Sequence, residues 1–132
     1  MEYLKIIIER TKDMYTAYAE NAPGVYAAGD SVEEVKHSVN NAILLLKKHN
    51  KKNNIPEILK GKFALVYKYD AESFLKYYKG IFTNAALERI TGINQKQFQH
   101  YASGLKKPRP AQAKKIETAL HKLGHELISL EL

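Results

Sequence analysis

Gln95, Lys96, Gln99 and His100 are the residues of this chain whose types and spacing best suit contact with a partner. At helical spacing they share one side of a short segment, while Phe98 and Tyr101 take the other. In a DNA major groove a glutamine amide can pair bidentately with adenine, and a lysine can donate to guanine. Lys106, Lys107 and Arg109 follow at once in a loop suited to phosphate, which adds affinity without carrying sequence information. Between Asn94 and Lys115 there are six Lys/Arg and no acid. A plain helical hairpin with a solvated basic face would share some of these features. The order of turn, cap, polar helix face and trailing cations favours DNA reading.

The elements that must hold these side chains are legible around them. Residues 84–109 read as two short helices joined at Gly92, where a glycine can adopt a backbone conformation that other residues avoid. Leu87 and Ile90 give the first helix an apolar face, which Ile93, Phe98 and Tyr101 continue through the turn and the second helix. Asn94 is suited to cap that second helix, and Gly104 to end it. Upstream, Asp70 can cap a helix whose buried stripe is Phe74, Leu75 and Tyr78. Downstream, Pro110 suits the first position of a last helix, with Ala113, Ile116, Leu120 and Leu123 on its core side and Gly124 at its end. Residues 125–132 then alternate as a short apolar strand or tail. A lone strand must pair, and pairing with the same tail of another copy would give a homodimer or higher oligomer presenting two reading helices to a palindromic operator.

The first half has a different rhythm. Residues 1–10 alternate Leu4, Ile6 and Ile8 with Tyr3, Lys5 and Glu9, and residues 14–20 place Tyr15, Ala17 and Ala19 on one face. Asn21-Ala22-Pro23-Gly24 marks a turn, residues 25–28 a third strand, and residues 62–69 a fourth. Ser31 with Glu34 three residues on forms a capping box before a stripe of Val32, Val35, Val39, Ala42, Ile43 and Leu46. Residues 50–61 read as a polar loop. The expected architecture is α+β: a βββαβ domain over 1–69 and an all-α helix-turn-helix domain over 70–132. The sheet's second face offers Tyr3, Ile7, Tyr18, Tyr26 and Val66, either to a partner or to partial cover by the loop and the second domain.

Other chemistry finds little support. Glu2, Glu9, Asp13, Glu20 and Asp30 are scattered, whereas two-metal hydrolysis needs converging carboxylates. His121 and His125 are four apart with no third ligand near them in sequence. Phosphate-binding glycine loops and a nucleophile elbow are missing, so neither an enzyme, a metal site nor a cofactor is expected. The net charge of +7 divides as +3 and +4 between the halves at Tyr69, so clustering is more informative than the total. A second cluster, Lys47 to Lys62, sets six lysines against Glu57 and is commonly just solvated surface. No cysteine is present, no apolar run spans a bilayer, and Glu2, Lys5, Glu9 and Arg10 interrupt the N-terminal apolar residues, which together suggest a cytoplasmic protein without a membrane segment.

Leu87, Gly92, Ile93, Phe98, Tyr101 and Gly104 resemble the hydrophobic and glycine positions of the lambda-repressor-like (Xre-type) helix-turn-helix. Glu88 departs from that pattern, which usually has a small residue there. The resemblance implies base contacts by Gln95, Lys96 and His100, with Gln99 adjacent, and phosphate contacts by Asn94, Lys106, Lys107 and Arg109. The first half, through MYTAYAENAPG, VYAAGDS and SVEEV, resembles the N-terminal domain of HicB-type antitoxins, which has a partial ribonuclease-H-like fold. That resemblance implies an antitoxin that masks a HicA-type mRNA interferase, through residues near Tyr15, Tyr18 and Tyr26, and represses its own operon. The competing expectation is a stand-alone transcriptional regulator whose N-terminal domain senses a small molecule or oligomerises.

Overall fold

The computed structural model describes all residues, Met1–Leu132. The chain forms two compact units, Met1–Asp70 and Ala71–Leu132. Together they make an α+β protein with one four-stranded mixed sheet and six α-helices.

In the first unit, β1 (Glu2–Arg10), β2 (Tyr15–Ala19) and β3 (Tyr26–Gly29) run antiparallel to their neighbours, and β4 (Phe63–Tyr69) pairs parallel to β1. The sheet order is β3-β2-β1-β4. Strand alternation sends Leu4, Ile6 and Ile8 to one face, where they are fully buried beside Tyr15, Ala17 and the partly buried Phe63, Leu65, Tyr67 and Tyr69. Helix α1 (Val32–His49) covers that face with Val32, Val35, Val39 and Ile43. Burying each such side chain contributes roughly 1.5–3 kcal/mol, so this layer dominates the unit's stability. Ser31 Oγ accepts from the Glu34 N–H, while Glu34 reaches back to accept from the Asp30 N–H, one residue beyond the usual capping-box donor. At the other end Asn21 extends the sheet's pairing: its side chain accepts from Lys5 N–H and donates to the Tyr3 carbonyl.

The segment expected as a polar loop is partly helical. A 3-10 turn over Lys52–Asn54 and a one-turn helix α2 (Glu57–Lys60) follow α1, and Leu59 enters the core fully buried with Ile55 and Ile58 against it. Three apolar residues among many polar ones were enough to dock the segment, because burial rather than helix propensity stabilises so short a helix.

The second unit contains α3 (Ala71–Tyr77), α4 (Asn84–Thr91), α5 (Gln95–Ser103) and α6 (Pro110–Ile128). Its core is Leu75, Leu87, Ile93, Phe98, Tyr101 and Ile116, with the Phe98 and Tyr101 rings meeting edge-on at 6.2 Å. Three expectations fail here. Helix α6 does not stop at Gly124, and the C-terminal strand is not formed: residues 125–128 are helical and only 129–132 lie outside the helix. Gly92 and Gly104 end their helices by adopting positive φ, but Gly124 does not. A glycine in a helix interior costs only about 1 kcal/mol, less than the helix-forming residues around it supply. Ala113, expected on the core side of α6, is exposed, and Gln112 takes the half-buried position on the stripe shared by Ile116, Leu120 and Leu123.

Candidate nucleic-acid interface

The turn between α4 and α5 is built from local chemistry. Thr83 Oγ1 caps α4 by accepting from the Ala86 N–H. Gly92 closes α4 in the left-handed conformation, with φ of 77°. The buried Thr91 hydroxyl donates to the Leu87 carbonyl at 2.6 Å and accepts from the Ile93 N–H at 3.0 Å, so one side chain ties both arms of the turn. Asn94 Oδ1 accepts from the Lys96 N–H, and the Asn94 carbonyl from the Gln97 N–H.

Glu88 supplies a further tie. Its Oε2 accepts from the Gln95 N–H at 3.0 Å, reaching across the turn to the first residue of α5. The residue that departs from the helix-turn-helix pattern thus caps the second helix from the first. Spacing alone did not reveal this contact; the only sequence signal was an acid seven residues before a helix whose own first turn has none.

Gln95, Lys96 and Gln99 are exposed on one side of α5, and with Asn84, Glu88 and Asn94 they line a shallow groove between α4 and α5. His100 is half-buried, so its side chain contributes less to this face; its backbone carbonyl accepts from the Lys106 N–H at the start of the basic loop. Asn94 is exposed beside them, though its side-chain oxygen is already engaged. Lys106, Lys107 and Arg109 are all exposed and line an opening with Gln97, Tyr101 and the first turn of α6. Neither these three cations nor Lys96 takes part in the ion pairs Lys5–Glu20, Lys60–Glu57, Lys76–Glu72 and Lys114–Glu117. Gly104, which begins the basic loop, has φ of 80°, and a side chain there would meet the Glu72 carboxylate at 3.2 Å.

The N-terminal unit presents a separate surface. Tyr18 pairs across the sheet with Tyr26 on one side and with Ile7 on the other, which places the three side chains in one row on the face opposite α1. Tyr26 is 71% exposed, and Tyr3, Tyr18 and Val66 are exposed on the same face. Tyr15 is not with them. It lies on the covered face, buried, with its hydroxyl accepting from the Arg10 guanidinium at 2.9 Å. An offset of three residues along a strand puts Tyr15 and Tyr18 on opposite faces, so the alternation already contained this separation.

Lys36 Nζ lies 4.5 Å from the Tyr67 ring centre, and burial lowers its pKa while raising that of the Tyr67 phenol. This contact sits under α1 and serves packing. His121 and His125 are exposed on α6, and no three His, Cys, Asp or Glu side chains converge as metal ligands would. No helix is long and apolar enough to cross a membrane. In comparisons with known proteins the chain matched no family model, no curated protein and no solved structure.

Proposed function

We propose that this chain is a HicB-type antitoxin whose C-terminal unit, a lambda-repressor-like helix-turn-helix, binds operator DNA and whose N-terminal unit, a partial ribonuclease-H-like domain, masks a HicA-type mRNA interferase. The observation that carries the DNA half is the outward face of α5. Gln95, Lys96 and Gln99 project together from a helix whose first three N–H groups are held by two side-chain acceptors and one backbone carbonyl, and the cations of 106–109 stand beside it without ion pairs. Groups with donors and acceptors aimed outward suit base edges, and cations without internal partners suit phosphates.

The toxin half rests on the resemblance and on the uncovered sheet face. Tyr3, Tyr18, Tyr26 and Val66 form an apolar, aromatic surface of the kind that anchors protein interfaces. The sheet end closed by the pairing of Arg10, Tyr15 and Gly29 sets Asp13, Asp30, Glu33 and Glu34 against Arg10 and Lys12, a local acidic excess that would suit a small basic partner. The toxin surface is therefore assigned to Tyr18 and Tyr26 with Tyr3 and Val66, and Tyr15 supports it from the core. Two copies would associate through the end of α6, where Leu127, Ile128, Leu130 and Leu132 are exposed.

The test is co-expression with the product of the neighbouring gene, co-purification, and a mobility shift on the DNA upstream of the pair. Capture of a small basic protein together with a shift on that DNA supports the reading. Upstream binding without any captured partner supports the stand-alone regulator, and binding no tighter than to arbitrary duplex removes the DNA half.

A further inference from the structure

Glu88 stands where a bare helix start would attract an anion. The first N–H groups of an α-helix lack intrahelical partners, and with the positive end of the helix dipole they form a site for phosphate or carboxylate. In α5 the three donors of the first turn are taken: Gln95 N–H by Glu88 Oε2, Lys96 N–H by Asn94 Oδ1, and Gln97 N–H by the Asn94 carbonyl. One of the three acceptors is a full negative charge, delivered from the preceding helix into a groove otherwise lined by Asn84, Asn94, Gln95, Lys96 and Gln99. Glu88 forms no ion pair with Lys96 or any other cation. Its charge therefore faces the groove rather than being cancelled within it.

We infer that Glu88 is the selectivity-determining residue of this interface: its carboxylate occupies the anion position at the start of α5, so the α4–α5 groove rejects backbone phosphate and leaves Gln95, Lys96 and Gln99 to base edges. The inference rests on the DNA-binding reading above. Physically it is a division of labour. Phosphate contacts draw the protein to any duplex, so closing one of them at the reading helix confines that sequence-independent attraction to Lys106, Lys107 and Arg109, away from the groove. A favourable anion at a helix start is worth about two- to five-fold in binding, and removing the internal charge would make that much available to phosphate.

Two measurements on the full chain test this. The first follows backbone amide resonances during titration with inorganic phosphate. The amides of Gln95, Lys96 and Gln97 should not respond in the native chain, and should shift saturably in Glu88→Ala. A response in the native chain, or none in the variant, overturns the inference whatever the protein does with DNA. The second compares binding to a duplex selected by the native chain from a randomised pool with binding to the unselected pool. Glu88→Gln retains an acceptor for the Gln95 N–H but not the charge, and its fold is checked by circular dichroism. It should bind the unselected pool about two- to five-fold tighter but the selected duplex, whose base edges already fill the groove, no tighter, so the selected-to-unselected ratio falls by the same factor. An unchanged ratio sinks the role of Glu88 while leaving DNA binding intact. Failure of the native chain to enrich any duplex removes the DNA reading, and this inference with it.

Discussion

Replacing Thr91 by valine isolates the hydrogen bonds that set the angle between α4 and α5, because the two side chains have nearly the same shape. Thr91 is 6% exposed and Ile93 4%, so water does not substitute for the lost hydroxyl. The Leu87 carbonyl keeps its place in the helical ladder, but the Ile93 N–H, which donates to Thr91 Oγ1 at 3.0 Å, is left without an acceptor. A buried donor abandoned in this way costs about 1–3 kcal/mol. Taking about 2 kcal/mol as the centre, the folding constant of the second unit falls roughly 30-fold, and its thermal midpoint by about 8–16 °C. Urea unfolding followed by helical circular dichroism would measure the loss, and hydrogen exchange at the Ile93 amide would locate it. Thr91→Ser retains the hydroxyl and loses one methyl, so it should cost only about 1 kcal/mol. If valine were as well tolerated as threonine, or serine as harmful as valine, the turn would not depend on this hydroxyl and the reasoning would be wrong.

Lys96→Ala should change which duplexes are preferred, whereas Lys107→Ala should weaken binding to all of them and reduce the salt slope by about 0.9; selection from a randomised pool at two salt concentrations separates the two outcomes. Gly92→Ala and Gly104→Ala both force a side chain into the left-handed region at about 1–2 kcal/mol, but only the second also meets a neighbour, the Glu72 carboxylate. Gly104→Ala should therefore be the more destabilising, and equal midpoints in urea would refute the contact. Tyr18→Asp and Tyr26→Asp should leave the thermal midpoint within a few degrees of the native value and abolish capture of the neighbouring gene product. Tyr15→Ala should instead unfold the N-terminal unit more readily by about 3 kcal/mol, as truncation of a large core side chain does. Intact capture by both aspartate variants would remove the sheet face as the docking surface.

Much of the local architecture follows from the order of residues alone, because its causes lie within a few positions of one another. Alternation over Leu4, Ile6 and Ile8 makes a half-buried strand, valines at spacings of three and four make α1 amphipathic, and Gly92 followed by Asn94 ends one helix and starts the next. The same logic separates Tyr15 from Tyr18. What the order of residues left undetermined depends on distant neighbours. Leu59 is helical and buried because a core stands ready to receive it, while its local surroundings read as loop. Gly124 is punctuation in one backbone conformation and an ordinary helical residue in another, and only its surroundings choose between them. Glu88 sits beside Gln95 only after the turn has folded the two helices together, so its bond to the Gln95 N–H is a property of tertiary structure. Periodicity specifies which face of an element is buried. What that face meets, and where a charged side chain on the other face finds its donor, is decided when the elements pack.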